Sequence, residues 1–435
     1  SQQVWKGATR CVYYPLSRSR RAMSAVALAA RVIPTQFAPP DGRRLDRPVA
    51  RASRVRVSRA TVSPRALQRA DGDDFELLRE LGTVSYAVEQ QAGEATLKWR
   101  GGDDGTVPDS FSVVGAAPLA GGVAEMKLYA GKVVGWEGPD GGERGPRVPD
   151  VLLKEYCNEP AASMADAEVD AYTKLYSNPN DSTIGQTWDG QAVGTPFDPA
   201  SIPVVPLIAY FTSDSVNGVG TSLWTVQAWG PGGVSRLAEY PGKHQEVKKP
   251  SFWPPVQRVR DVGLGPRHRF VRNAVKGVLA AVDAIHRRGV AHNAIDASSF
   301  QMSTLKDQKA DELEVRLMNL GFAGDLTEDK RRGDLRSAAI VVAELVFSAL
   351  SASGSDKGRT SAAAIQRLFE QVFSLDMTQA REYCVEEPEW EAVVEFWDYR
   401  DRQGDGWALL GDMWRGELSA EELLARAEAI ETPYD

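Results

Sequence analysis

The feature that most constrains the fold is the segment 285–323, which contains a helix end, a polar loop and a strand. Apolar residues recur at helical spacing up to Ile285, and basic residues and Gly289 follow, as at a helix terminus. The loop HNAIDASS comes next, and the later strand VRLM leads into Asn-Leu-Gly. We therefore expect a mixed fold of helices and strands, with candidate functional side chains in the loop and just after the strand.

This order resembles the catalytic loop and metal-binding segment of the eukaryotic protein kinases, which read H-R-D-L-x-x-x-x-N and then D-F-G after a strand. His292 stands at the His position, and Ala294 replaces the Asp that accepts the substrate proton. Ser299 replaces the second metal ligand, and Asn319 replaces the Asp of D-F-G. The resemblance implies a protein-kinase fold in which three polar groups used in phosphoryl transfer are changed.

The changed groups predict impaired chemistry. Ala294 offers no proton acceptor, and a missing general base typically costs about 10²- to 10⁴-fold in rate. Asn319 is neutral where a carboxylate would hold Mg²⁺, an ion usually bound through carboxylates and phosphate oxygens. ATP binding is therefore expected to be weak, and a metal site at Asn319 is expected to bind Mg²⁺ weakly. Asp296 and Asp325 remain as candidates for a displaced acid/base and a displaced metal ligand.

Lys154, in the predicted strand VLLKEY, resembles the kinase strand lysine that contacts the ATP phosphates. A predicted helix follows it and places Glu168, Tyr172 and Leu175 on one face. In the kinases a helix glutamate pairs with this lysine, so the resemblance makes Glu168 the expected partner. Lys98 is the alternative lysine, but no comparable helix follows it. A Lys154 side chain that points outward remains the structural alternative.

Two glycine-bearing segments are candidates for the nucleotide loop. Residues 75–91 are predicted to form strands with a turn at Gly82. Residues 111–136 are predicted to form a strand, a turn with Gly115 and Gly121, and a second strand. Glycines let backbone N–H groups approach phosphates, but an ordinary hairpin explains either segment equally well.

The end of the last small-lobe strand is the expected adenine site. This strand, predicted to begin at residue 223, reaches Gln227, Ala228 and Trp229, against which the resemblance places an adenine. Trp229 could also block that pocket. Residues 242–260 are interpreted as an exposed insertion.

The chain is predicted to become helical from Arg269. Asp334 is predicted to begin a helix similar to the central helix of the kinase large lobe, in which the leading Asp braces the catalytic loop. Asp334 could equally be a plain helix N-cap. Asp334 lies only fifteen positions after Asn319, and the interval contains no A-P-E. The segment that holds a peptide substrate in active kinases therefore looks truncated.

The N-terminal charge predicts a targeting segment. Residues 1–70 hold 15 of the 51 Lys and Arg residues but only Asp41 and Asp46 of the 59 acidic ones, so they carry +13 and the remainder carries −21. A basic, acid-poor, Ser- and Ala-rich start is typical of an organelle transit peptide, and Met23 begins a plastid-style sequence. A basic arm that contacts nucleic acid or anionic lipid is the alternative.

Composition excludes several other classes. No apolar run reaches the roughly 18 residues that a membrane helix needs. The three cysteines and four histidines show no metal-ligand spacing, and the acidic body gives no basis for binding nucleic acid.

The resemblance implies an α+β, protein-kinase-like two-lobe fold, with a small β-rich N-lobe carrying one helix and a larger, mainly α-helical C-lobe. The expected boundaries are a transit segment at 1–74, extra N-terminal strands at 75–110, the N-lobe at 111–230 and the C-lobe at 231–430.

Three functions fit this sequence. The favoured one is a catalytically impaired kinase-like scaffold or regulator of the plastid, which binds protein partners there. The second is an active atypical kinase that transfers the ATP γ-phosphate to Ser or Thr and depends on Lys154, Glu168 and a displaced carboxylate. The third is a ligand- or peptide-binding module that uses the kinase cleft.

The targeting hypothesis predicts that residues 23–75 direct a fused fluorescent reporter into plastids, because their basic, acid-poor composition is that of a transit peptide. Fluorescence microscopy of the fusion measures this. A reporter that stays in the cytosol would contradict the plastid assignment.

Overall fold

A computed structural model describes residues 68–69, 72–91, 94–100, 111–113, 122–134, 151–177, 201–215, 220–229, 235–241, 256–351, 360–398 and 405–429. Within these residues, most of the strands lie in the first part of the chain, and most of the helices come after residue 256. The fold is therefore α+β, as predicted at that level.

The strands of the first half form one eight-stranded sheet. They are β1 (Gln68–Arg69), β2 (Phe75–Gln91), β3 (Glu94–Arg100), β4 (Phe111–Val113), β5 (Gly122–Val133), β6 (Val151–Tyr156), β7 (Leu207–Asp214) and β8 (Thr221–Ala228). Their order is β1-β7-β8-β6-β5-β2-β3-β4. β1 runs parallel to β7, and the other neighbouring pairs are antiparallel. The central strand β6 is buried along its whole length.

The pairing of β2 corrects the first predicted glycine loop. β2 is one continuous strand of 17 residues, and it pairs with β5 from Phe75 opposite Val133 to Val88 opposite Gly122. The predicted turn at Gly82 is wrong: Gly82 has φ 146° and lies at a register shift, where a bulge lets the strand continue. β2 belongs to the same sheet as β6 to β8, so the sheet does not divide at residue 110.

The second predicted glycine hairpin is also wrong as a hairpin. β4 pairs with β3, and β5 pairs with β2 and β6, so β3 and β2 separate the two strands that were expected to be neighbours. The predicted loop residues Gly115 and Gly121 lie outside the described residues.

Helix α1 (Glu159–Tyr176) packs on one face of the sheet, as predicted. It begins where the Asn158 side chain accepts a hydrogen bond from the Ala161 amide at 3.1 Å, a standard N-cap. Its buried face includes the predicted Glu168, Tyr172 and Leu175. An apolar cluster joins α1 to the sheet, and its members there are Ala161, Met164, Ala165, Ala124, Met126 and Tyr156.

The helices of the second half are α2 (Val256–His286), α3 (Glu328–Leu350), α4 (Ala362–Gln366), α5 (Met377–Glu386), α6 (Glu391–Asp398), α7 (Asp405–Arg415) and α8 (Ala420–Glu428). Four short strands lie between α2 and α3, namely β9 (Val290–Ala291), β10 (Phe300–Met302), β11 (Val315–Leu317) and β12 (Gly324–Asp325). None of the helices within the described ranges is long and apolar enough to cross a membrane.

Helix α2 begins earlier than predicted and ends where predicted. Because it starts at Val256, the interpretation of residues 242–260 as a loop is wrong for the last five of them. The predicted apolar face is buried throughout and consists of Val271, Val275, Val278, Leu279, Val282 and Ile285. Gly289 follows the helix with φ 69°, a left-handed conformation that glycine adopts without steric cost.

Aromatic packing fills the space between the later helices. Trp397, Trp407 and Trp414 are buried. The indole Nε1 of Trp407 donates to Asp398, and that of Trp414 donates to Glu370, each at 2.9 Å. These three tryptophans are therefore core residues, whereas Trp390 is only partly buried. The N–H groups of Trp407 and Trp414 each have a partly buried carboxylate as acceptor.

Two helix glycines allow a matched test of how closely helix α2 packs against strand β11. A Cβ on Gly277 of α2 would lie 2.6 Å from Val315 of β11, whereas a Cβ on Gly333 of α3 would meet nothing within 4 Å. We expect Gly277→Ala to cost about 1–3 kcal/mol through overpacking, and Gly333→Ala to stabilise the protein by ~0.5–1 kcal/mol through higher helix propensity. Chemical denaturation measures both; an unchanged stability in Gly277→Ala would contradict the contact between α2 and β11.

Candidate functional site

Lys154 and Glu168 form a buried ion pair between the sheet and helix α1. Side chains alternate along β6, so Lys154 lies on the face that meets α1. Its Nζ lies 2.8 Å from Glu168 Oε1, and the two side chains are 2% and 0% exposed. The predicted ion pair is confirmed, and the outward-pointing alternative is wrong. Lys98 lies on β3, which β5 and β2 separate from β6.

Two further side chains hold the Glu168 carboxylate. Gln227 Nε2 donates to Oε1 at 2.8 Å, and the Tyr156 hydroxyl donates to Oε2. Burial, followed by the charge and hydrogen bond of Glu168, holds the pKa of Tyr156 well above its usual value, so the phenol keeps its proton and donates it. Glu168 thus accepts from three donors, which compensates its removal from water.

Sequence reasoning missed this role of Tyr156. It lies two residues after Lys154, and a period of two puts both side chains on the same face of β6. The alternation of side chains along the strand was therefore the sequence signal that could have placed Tyr156 beside Lys154. Gln227 was predicted beside an adenine, but its buried side chain is directed to Glu168.

Asn319 lies beside this ion pair. Its Oδ1 is 3.5 Å from Lys154 Nζ, and its backbone is left-handed, with φ 65° and ψ 50°. The 3-10 turn Leu320–Phe322 follows, and a Cβ on Gly321 would approach Met164 of α1 to 3.1 Å. The turn therefore packs closely against α1. We call Lys154, Glu168 and Asn319 the Lys154 site.

His292 connects the polar loop to the end of β11. Its Nδ1 accepts from the Ala294 amide at 3.2 Å, so Nε2 carries the proton and donates to the Met318 carbonyl at 3.0 Å. Burial lowers the pKa of His292, which favours this neutral form. The side chain has a structural role in these contacts, because both ring nitrogens are bonded to the backbone.

The carboxylate of Asp334 holds the same loop through hydrogen bonds to its backbone. Its carboxylate accepts from the amides of His292 and Asn293, each at 2.8 Å, and lies 3.0 Å from His286 Nε2. The helix begins at Glu328 with Thr327 as its N-cap, so the N-cap interpretation of Asp334 and the predicted helix start are both wrong. The hydrogen bonds from His292 and Asn293 to Asp334 are the contacts with the loop that the resemblance implied.

Asp296 and Ser299 bond to each other and to nearby backbone. Asp296 Oδ1 accepts from the Ser299 amide at 2.8 Å, from Ser299 Oγ at 2.9 Å and from Ser298 Oγ at 2.7 Å. Ser299 Oγ also lies 3.2 Å from the Ala294 carbonyl. These contacts form a capping box. Ala294 itself packs in the apolar cluster of the sheet and α1.

Asp325 does not face the Lys154 site. It is 82% exposed and pairs with Lys174 of α1 at 2.5 Å, and that hydrogen bond lowers its pKa. β12 pairs with β9, the Asn293 side chain donates to the Phe322 carbonyl at 2.8 Å, and α3 begins three residues after Asp325. The whole interval from Asn319 to Asp334 is therefore occupied by this compact turn, short strand and helix start.

The remaining predicted residues lie at the end of β8. Ala228 donates its amide to the Pro206 carbonyl at 2.9 Å, and both Ala228 and Trp229 are partly buried. Contact of these residues with an adenine stays a prediction.

The Lys154 site combines a buried ion pair with a neutral side chain. Lys154 supplies a buried positive charge, while Ser299 and Asn319, at the two expected metal positions, are neutral. Among the described residues no group of three or more His, Cys, Asp or Glu side chains could hold a metal ion. No protein-family model matches this sequence, and no curated protein is significantly similar to it. Functional conclusions therefore depend on the geometry.

The bracing role of Asp334 predicts a large loss of stability on its removal. Asp334→Ala would leave two backbone N–H groups without their acceptor, so we expect a loss of at least ~2 kcal/mol. Asp311→Ala is the matched control, because this aspartate is exposed and should change stability by no more than about 0.5 kcal/mol. Denaturation curves of the two variants make the comparison; equal stabilities would contradict the bracing role.

Proposed function

We propose that this chain is a catalytically impaired protein-kinase-like protein with a two-lobe fold, and that it acts as a scaffold or regulator for protein partners in the plastid. It binds nucleotide weakly, or without a requirement for metal. The observation that carries the proposal is the contrast at the Lys154 site. The buried lysine and glutamate are paired, whereas the positions of the base and the metal ligands hold Ala294, Ser299 and Asn319.

The order of elements supports the two-lobe interpretation. A lysine strand, a helix with the partner glutamate, and two further antiparallel strands precede the helical half of the chain. The polar loop and the turn at Asn319 then follow α2 in the order the kinase motifs have. The Lys154–Glu168 pair and the loop-bracing Asp334 are the contacts that this resemblance implies.

The contacts of the candidate replacement carboxylates count against the active-kinase alternative. Asp296 is engaged by Ser298 and Ser299, and Asp325 is exposed and paired with Lys174. Neither is directed to Lys154. A phosphoryl group held by Lys154 would therefore have no carboxylate of this pair to deprotonate the attacking hydroxyl or to hold Mg²⁺.

Nucleotide binding and phosphate transfer test this proposal separately. We expect ATP to raise the thermal midpoint of the full chain by a similar small amount in Mg²⁺ and in EDTA, because neither Asp296 nor Asp325 is directed to the Lys154 site to complete a metal site. We expect no transfer of γ-phosphate to generic protein substrates or to the chain itself. Differential scanning fluorimetry and a radiolabelled transfer assay measure the two quantities.

Lys154→Ala and Lys132→Ala are the variants to compare. Lys154→Ala leaves Glu168 buried without its cation and lowers the baseline midpoint, so the quantity compared is the shift that ATP adds. That shift should vanish in Lys154→Ala and persist in Lys132→Ala, whose lysine lies on β5 opposite Glu76. Lysine-dependent phosphate transfer by the wild type would refute the impaired-kinase proposal and favour the active alternative.

A further inference from the structure

The side chain of Tyr86 on β2 packs where the sheet meets the residues of the polar loop and of the Asn319 turn. It lies opposite Ala124 of β5, and it packs against the apolar cluster that includes Ala294 and Phe322. Its ring meets that of Phe322 edge to face, with centroids 5.2 Å apart and an interplanar angle of 79°. Tyr86 therefore connects the sheet to both predicted motif segments.

Burial and nearby charges both act on the pKa of Tyr86. Burial raises the pKa of Tyr86 above its usual value, the negative charges of Asp296 and Glu168 raise it further, and Arg236 opposes them. The phenol is thus neutral. The charges that act on it include Glu168, which pairs with Lys154, and Asp296 of the polar loop.

Within the described residues, the side chain of Tyr86 is retained by the contacts of its ring. Its hydroxyl makes no hydrogen bond to any part of the chain that the structure describes, and its backbone is paired on both sides, with Ala124 of β5 and Trp99 of β3. The backbone is therefore fixed while the side chain is retained by apolar contact. A change of side-chain rotamer would free the space without breaking a hydrogen bond.

We propose that Tyr86 is a built-in plug of the Lys154 site, whose ring occupies the space over Ala294 and Phe322 that the phosphates of a bound nucleotide would need. This inference rests on the proposed function and adds a reason for weak nucleotide binding that is separate from the missing metal ligands. Removing the ring opens the site to a nucleoside triphosphate, whereas removing the hydroxyl alone leaves it plugged.

Calorimetric titration of the full chain with ATP in EDTA tests the plug. We expect Tyr86→Ala to bind ATP at least about tenfold more tightly than the wild type, and Tyr86→Phe to bind like the wild type. The gain should disappear in Tyr86→Ala/Lys154→Ala, because the anion would then lack its cation. Equal affinities in wild type and Tyr86→Ala, including no binding by either, would overturn the proposal.

A measurement on the wild type covers the case in which Tyr86→Ala does not fold. Tyr86 should be nitrated slowly by tetranitromethane without ligand and faster at an ATP concentration that raises the thermal midpoint, with peptide mass spectrometry as the readout. Buried Tyr172 of α1 is the internal control and should not change. Unchanged nitration of Tyr86 would overturn the plug. Phosphate transfer by the wild type would instead refute the proposed function, so the two failures are distinguishable.

Discussion

The structure depends on the burial of one carboxylate, that of Glu168. A carboxylate removed from water costs several kcal/mol unless cations and hydrogen-bond donors replace its solvation. Those donors are the side chains of Lys154 and Tyr156 on β6 and of Gln227 on β8, two strands that contact α1. The same contacts fix the helix on the sheet, and the position of the Asn319 turn against Lys154 follows from them. The site is therefore ordered by the chain's own side chains.

A second buried carboxylate, Asp334, does the same for the helical half. Its carboxylate accepts hydrogen bonds from two backbone amides of the polar loop and contacts His286. This one acceptor on α3 therefore holds both the loop and the end of α2. His292 then connects the loop to the residue before Asn319. The two carboxylates thus order opposite sides of one region, and the apolar cluster with Ala294 and Phe322 lies where the sheet meets the loop.

Much of this was predictable from local sequence. The period of 3.6 residues identified α1 and the buried face of α2. The ion pair of Lys154 with Glu168 was expected from the resemblance to the kinases, and the helical period placed Glu168 on the buried face of α1. Pairings between distant segments were not predictable. The partner of β2 is β5, more than thirty residues further along the chain, and a bulge at Gly82 looks like a turn in a single sequence. The role of Gln227 likewise depends on which strands become neighbours, because it lies on β8 and its partner Glu168 lies on α1. Tyr156, by contrast, is on the same strand as Lys154, so the period of two could have placed it on the same face.

The ion pair by itself does not argue for catalysis. Removing one partner of a buried pair is strongly destabilising, by about 3–5 kcal/mol, so Lys154 and Glu168 are required for stability whether or not a phosphate is ever transferred. Groups that only touch a substrate have no such second role. In the proposed kinase-like interpretation Ala294 stands at one such position, and it belongs to the apolar cluster against which Tyr86 packs. A buried ion pair that is kept for stability, with Ala294 and Asn319 at the positions of the base and a metal ligand, is what we expect of the proposed regulator or scaffold.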